Sequence, residues 1–166
     1  PFYGQRNINE NTFVRYKVVW KIMASDLIAT VVSQFKTPFG YKNVIPFKTN
    51  AFIPTNSEIE AHYLCAIINS KPVRDFVKSF SSAGRGFGTP SVMEYVGIPK
   101  FDSKNQLHQK LAEISKKCHQ LKSKGKEKEI EKLEKENDEL VKKLFKIKKA
   151  RQLLNEAAKK VEAVIA

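Results

Sequence analysis

The sequence predicts an α+β chain. A small mixed β-sheet with two packed helices occupies residues 1–104, and a helical region follows over 105–166, folded as an antiparallel helical hairpin or coiled coil with a break near 123–126. Three observations carry this reading. Runs rich in β-branched and aromatic residues fill the chain before residue 55, as strands require. Residues 57–80 show helical periodicity with start signals at two points. After residue 105, leucines and isoleucines recur at alternating spacings of four and three, the mark of a heptad seam.

Residues 1–12 are polar and turn-rich, and Phe13 to Met23 (FVRYKVVWKIM) reads as the first strand. Val14, Tyr16, Val18 and Trp20 are all apolar and should face a core. The alternate set would carry Arg15 and Lys17 outward. A row of cations on one sheet face can follow a phosphate backbone, or it can simply meet solvent. Leu27 to Gln34 is a second strand, and Thr37 to Tyr41 (TPFGY) a turn. Val44 to Phe47 and Ala51 to Pro54 form a hairpin or two edge strands, because Pro46 and Pro54 suit strand ends.

Ser57-Glu-Ile-Glu60 is a capping box: the Ser oxygen accepts an orphan helix N–H, and the Glu returns to the Ser amide. Ile59, Tyr63, Ala66 and Ile67 form the apolar stripe of the helix it opens. Asn69-Ser70-Lys71-Pro72 ends that helix and starts another, with Pro72 at a first helical position and Ser70 or Lys71 at the cap. Val73, Phe76, Val77 and Phe80 recur as a buried face, while Lys71, Arg74 and Lys78 form a basic ridge on the other side. The stretch Ser79 to Pro99 (SFSSAGRGFGTPSVMEYVGIP) comes next. Its small residues permit close backbone approach, Arg85 sits between two glycines, and Ser91 to Ile98 reads as a strand stopped at Pro99.

Leu107, Leu111, Ile114, Cys118 and Leu121 make one seam; Ile130, Leu133, Asn137, Leu140, Leu144 and Ile147 make another. Continuing the first would put Gly125, Lys128 and Lys132 in the core, so the chain should break near Gly125. Asn137 falls at a core position, where a buried Asn commonly sets register. Leu154, Ala157, Ala158, Val161 and Ile165 give the tail an apolar face that needs a partner surface, in this chain or another copy.

The net charge is +13. It is not confined to the lysine-rich end: residues 1–105 hold 13 Lys and Arg against seven Asp and Glu. Such a balance favours a polyanion, nucleic acid or an acidic surface, over a neutral partner. Cys65 and Cys118 occupy apolar helical positions without metal-ligand spacing, which suits buried thiols in a reducing cytoplasm. His108 and His119 read as solvated on a lysine-rich helix, and His62 as half-buried. There is no HExxH, GxSxG or P-loop. Gly84-Arg-Gly86-Phe-Gly88 does not run from a strand into a helix as a dinucleotide fingerprint does. No apolar stretch approaches membrane-spanning length, and no leader is visible. A chain that opens on Pro1, with methionines only at 23 and 93, reads as a piece of a longer polypeptide.

Taken in order, these features resemble the C-terminal target-recognition region (TaqI-like specificity domain) of type IIG adenine-specific DNA methyltransferases of restriction–modification systems. The resemblance rests on YKVVWKIMASDLIATVVS (16–33), EIEAHYLCAIINSKPVRDFVKSF (58–80), GRGFGTPSVMEYVGIPKFD (84–102), NQLHQKLAEISKKCHQL (105–121) and EIEKLEKENDELVKKLFKI (129–147). Type I restriction specificity subunits share the logic of an Asn-Ser helix end, a Gly/Ser loop, an Ile-Pro strand end and a coiled helix. The resemblance implies a recognition domain over 1–104, truncated at its N-terminus, that binds double-stranded DNA. Arg85 would meet base edges with Ser81, Ser82 and Thr89 beside it, and Lys71, Arg74, Lys78, Lys17 and Lys21 would take phosphates. The helices would dock on the parent's methyltransferase domain or self-associate. The methyltransferase signature (Asn/Asp-Pro-Pro-Tyr/Phe) is missing, so S-adenosylmethionine and methyl transfer would belong to the parent, with or without a fused endonuclease, and no cofactor to this piece. A fragment of a type I specificity subunit, or a coiled-coil protein–protein module without DNA binding, are the alternatives.

Overall fold

The computed structural model describes residues 9–80 and 88–146. Among the described residues five strands precede five helices, which places the chain in the α+β class. After a 3-10 turn at Glu10–Phe13 come β1 (Tyr16–Lys21), β2 (Ala29–Val32), β3 (Gln34–Thr37), β4 (Gly40–Asn43) and β5 (Asn50–Thr55). The helices are α1 (Glu58–Ile68), α2 (Lys71–Phe80), α3 (Pro90–Glu94), α4 (Gln106–Lys122) and α5 (Glu127–Leu144).

The pairing is antiparallel throughout the described strands, where a mixed sheet was expected. One sheet has the order β2-β1-β5, and β3 with β4 forms a separate two-stranded ribbon. In the ribbon Lys36 faces Tyr41 and Phe35 faces Lys42 across the strands, so the stretch 37–41 is the tip of a hairpin rather than an isolated turn. Gly40 takes φ 98° there, a conformation that favours glycine. Pro54 lies inside β5, opposite Lys17, and is tolerated because β5 is an edge strand. Val44 to Phe47 forms no strand; Val44 N–H donates to the Ser33 carbonyl at 2.8 Å.

Val18 and Trp20 point into the core as the alternation predicts. Lys17 does not point outward. It is buried, its ammonium donates to the Val14 carbonyl, and burial holds its pKa below the usual lysine value. The chain entering β1 supplies that carbonyl.

Helix α1 is the centre of the molecule. Ala61, His62, Tyr63 and every residue from Cys65 to Ile68 are buried, and a helix buried on all sides must be packed on all sides. The sheet lies on one flank and α4 on another, with α2 and α5 against its remaining surface. Of the expected stripe, only Ile59 remains exposed. Burying side chains of this size stabilises by roughly 1.5–3 kcal/mol each. The capping box is half formed. Ser57 Oγ accepts from Glu60 N–H at 3.3 Å, but Glu60 does not return to Ser57; Thr55 Oγ1 accepts from the Ser57 amide at 3.1 Å and donates to Glu60.

Two polar side chains close the outer edge of β2. The Asn69 carboxamide accepts from Ala29 N–H and donates to Ala29 C=O, both at 2.8 Å, as a neighbouring strand would. One pleat further on, Val31 N–H donates to His119 Nε2 at 3.1 Å, while His119 Nδ1 donates to the Ser115 carbonyl at 2.8 Å. His119 is therefore a strut from α4 to the sheet, not a solvated residue. His108 is also buried; its Nδ1 accepts from Asp102 N–H at 3.0 Å and its ring packs 4.6 Å from Tyr63. His62 is buried rather than half-buried, 3.1 Å from Ser115 Oγ and edge-on to His119.

The strand expected over 91–98 is the short helix α3 instead. Thr89 is extended before it and Pro90 opens it, with φ preset for a helical turn. The β2 edge, taken up by Asn69 and His119, offers no ladder to an extra strand. Met93 is buried, and beyond Gly97 (φ 61°) the Pro99 carbonyl accepts from Tyr63 OH at 2.9 Å.

Helix α4 ends where the heptad register fails. Residues 123–125 form a turn, Gly125 takes φ 69°, and α5 begins at Glu127. The two helices pack on each other and Lys110 pairs with Glu136 at 3.4 Å. Their seams also close over α1: Leu111, Ala112 and Val141 join the main core, and Asn137 Nδ2 donates to the Ala66 carbonyl at 2.7 Å. Asn137 thus fixes α5 against α1. Ile147 and the apolar face of 154–165 lie outside the described residues. Among the described residues no helix is long and apolar enough to cross a membrane.

Candidate nucleic-acid interface

Segment 81–87, outside the described residues, is flanked by Phe80, the last residue of α2, and by Gly88. Its far end is tied into the core. Trp20 Nε1 donates to the Gly88 carbonyl at 2.6 Å, and a Cβ on Gly88 would stand 3.1 Å from Leu27 Cδ1 and 3.3 Å from the indole. Gly88 also has φ 66°, so both the conformation and the close approach call for glycine. Thr89 then caps α3 without a side-chain bond to its backbone; its hydroxyl lies 3.1 Å from Ser91 Oγ. At the near end, the Phe80 ring stacks on Tyr95 at 5.9 Å and packs 4.8 Å from Phe76. The aromatic pair brings the end of α2 to the end of α3. Phe76 and Phe80, expected in the core, are on the surface because Val73 and Val77 alone fill the seat of α2. Arg85, Ser81 and Ser82 lie outside the described residues.

The basic ridge of α2 exists, but its members already have anionic partners. Arg74 Nη1 and Lys78 Nζ lie 3.4 and 3.1 Å from the two carboxylate oxygens of Asp26. Asp26 also accepts the Leu27 N–H at 2.9 Å. Burial raises the Asp26 pKa, but the Lys78 and Leu27 hydrogen bonds and the two cationic charges outweigh it, so the carboxyl sits below its usual range. Lys71 Nζ pairs with Asp75 at 2.8 Å, one helical turn on, and its amide donates to Asp138 at 2.8 Å. Pairs this exposed are worth little individually, about 0–1 kcal/mol, and exchange readily for another anion. The ridge is a set of cations held in place, with Asp26 competing for two of them.

Of the two β1 lysines, Lys17 is out of reach of any ligand, for the reason given above. Lys21 is exposed at the strand end and makes no ion pair with a described residue. It borders a shallow depression with Trp20, Asp26, Thr30 and Asn50. Arg15 is exposed and lies over the Tyr16 ring at 5.2 Å.

Sequence periodicity missed the β3–β4 ribbon, whose exposed lysines pair with no described acid. The signal was present as charge rather than period: no Asp or Glu occurs between Leu27 and Ser57. Cys65 is buried and desolvation pushes its thiol up to about 12; Cys118 is half-buried. Among the described residues, no three His, Cys, Asp or Glu side chains gather to hold a metal ion. No protein-family model, curated protein or solved structure matches the chain.

Proposed function

We propose that the chain is a sequence-specific recognition module for double-stranded DNA, the specificity part of an adenine-specific DNA methyltransferase of a restriction–modification system. The observation that carries this reading is the charge: +13 in total, with the excess shared by the sheet-bearing half. Phosphate contacts from Lys and Arg give affinity and register, and base-edge contacts give specificity. Segment 81–87, with Arg85 between glycines, would make the base contacts, since arginine to guanine is the commonest such contact and is worth about 1–3 kcal/mol. The anchor at Gly88, held by Trp20, supports that role, because a reading segment needs a rigid support. Lys78, Arg74 and Lys71 would exchange their carboxylates for phosphates. The residues carrying the family resemblance meet around α1: Asn69 on β2, Tyr63 on Pro99 and on His108. Helices α4 and α5 would act as a hairpin that spaces or docks the module on a catalytic domain, where S-adenosylmethionine would bind.

Selection from a random-sequence duplex library with the 166-residue chain tests the reading. An enriched motif is expected, and R85A should relax one of its positions. Recovery of unenriched sequence at low salt would sink it.

A second reading, a protein–protein module, draws on one feature: an apolar cavity of about 180 Å³ lined by Pro72, Val73, Phe76, Tyr95, Val96 and Phe145. Pull-down of DNA-free partner by the wild-type chain, lost in Y95A, would favour it.

A further inference from the structure

We propose that the β3–β4 ribbon is a second duplex contact, separate from the α2 ridge and from segment 81–87; this rests on the DNA reading above. The ribbon stands apart from the three-stranded sheet and is solvated along both strands. Its exposed side chains are of two kinds only, uncharged and cationic. Lys36 and Lys42 in the ribbon, and Lys48 in the turn between the ribbon and β5, are exposed, and none pairs with a described acid. The whole run from Leu27 to Ser57 lacks Asp and Glu, so no carboxylate of its own competes for these three, unlike Asp26 at Arg74 and Lys78.

Large aromatic surface accompanies this charge. Phe39 is 88% exposed at the tip, and Tyr41 is 68% exposed in β4. Exposed aromatic rings grouped in this way mark an interaction site. Cross-strand register distributes the chemistry evenly. Tyr41 and Lys36 share one face with Gln34 and Asn43, and Phe35 shares the other with Lys42. On the first face Gln34 Nε2 donates to Asn43 at 2.8 Å, and Asn43 in turn donates to the Phe13 carbonyl, so the base of the ribbon is braced against the chain before β1.

A two-stranded ribbon fits the major groove of a B-form duplex. With its faces toward the groove walls, Lys36 and Lys42 reach opposite phosphate backbones, Lys48 follows one of them, and the Phe39 ring meets base edges. Uncompensated lysines favour a polyanion over a protein surface, and the aromatic rings beside them add apolar contact to base edges and sugars.

Fluorescence anisotropy of a labelled 30-base-pair duplex, titrated with the 166-residue chain across a NaCl series, tests this. Relative to wild type, K36Q/K42Q/K48Q should lower the slope of log affinity against log salt by about two to three, from roughly 0.9 per phosphate contact. K36R/K42R/K48R should keep the wild-type slope, which separates lost charge from lost fold. F39A should weaken binding several-fold with the slope unchanged. A wild-type slope in the Gln triple variant, with the wild-type chain binding normally, would overturn the ribbon proposal and leave the DNA reading standing. A wild-type chain with no salt-dependent duplex binding would remove the DNA reading, and the ribbon with it. Tighter binding of the ribbon to anionic vesicles than to duplex would also overturn it.

Discussion

Asn69 completes the edge of a sheet to which it does not belong. Its carboxamide exchanges two hydrogen bonds of 2.8 Å with the backbone of Ala29, from the end of a helix 40 residues further along the chain. The same side chain touches Cys65 Sγ at 3.4 Å, so one residue fixes the end of α1, the edge of β2 and the angle between them.

Asn69→Ala should therefore destabilise more than a surface substitution. The N–H of the buried Ala29 loses its partner and its carbonyl keeps only the weak Cys65 thiol at 3.5 Å, at about 1–3 kcal/mol for a group left unsatisfied. Urea unfolding monitored by circular dichroism should show a fall on the order of 1–3 kcal/mol. An Asn69→Ala midpoint equal to wild type would mean that water replaces the carboxamide freely.

Gly88→Ala tests the anchor of segment 81–87. A left-handed conformation costs a non-glycine residue about 1–2 kcal/mol, and the new methyl must also move the Leu27 side chain. Trp20 is the only tryptophan, so its fluorescence reports the site directly. The emission should shift as the 2.6 Å bond to the Gly88 carbonyl weakens, and stability should fall. Unchanged emission and an unchanged midpoint together would refute the anchor.

Histidine burial makes stability depend on pH. Desolvation foremost, then the nearby His119, against an opposing effect of Glu58 and with a smaller contribution from Lys116, lowers the His62 pKa from 6.5 to about 4. The unfolded chain then binds a proton that the folded chain refuses. The His62 contribution is complete above pH 6.5 and declines as the pH falls toward about 4. The loss across that window is on the order of 2–3 kcal/mol. His62→Gln should flatten the stability profile between pH 6.5 and 4 relative to wild type; a profile that falls as steeply in the variant would assign the effect to other groups.

Asp26→Asn tests whether the α2 ridge is restrained by its own carboxylate. The substitution frees Arg74 and Lys78, now 3.4 and 3.1 Å from Asp26. On the DNA reading, duplex affinity should rise several-fold at low salt and the salt slope should steepen. Measured by the same anisotropy titration, equal affinity in the variant and wild type would show that these two cations lie away from the phosphates.

How much of this was legible in the sequence differs from element to element. The first strand and the first two helices are stated by local signals: alternation from Val14 to Trp20, Ser57 before an apolar helical period, and Pro72 in the first turn of α2. The break between α4 and α5 is equally local, since a heptad register that would bury Lys128 and Lys132 cannot continue past Gly125. The helix at 90–94 was not legible, because a short apolar run suits a strand or a helix until an edge is present or absent. The ribbon was hidden for another reason: Lys36 and Lys42 break its hydrophobic alternation, since neither face is buried.

The sequence by itself determined the α+β class, the order of most elements, the excess of cations and the glycine-rich segment between α2 and α3. Those depend on propensity, period and charge, which act over a few residues or over the whole composition. Tertiary structure alone decided which polar side chains face inward. Lys17, Asn69, His108 and His119 all read as surface or cap residues in their own segments; Asn69 and His119 are drawn in by β2 backbone groups distant in sequence, while Lys17 and His108 bond backbone close by and are buried by the packing around them. A buried polar group must find a partner, and which partner is within reach is a property of the packed chain rather than of its local order.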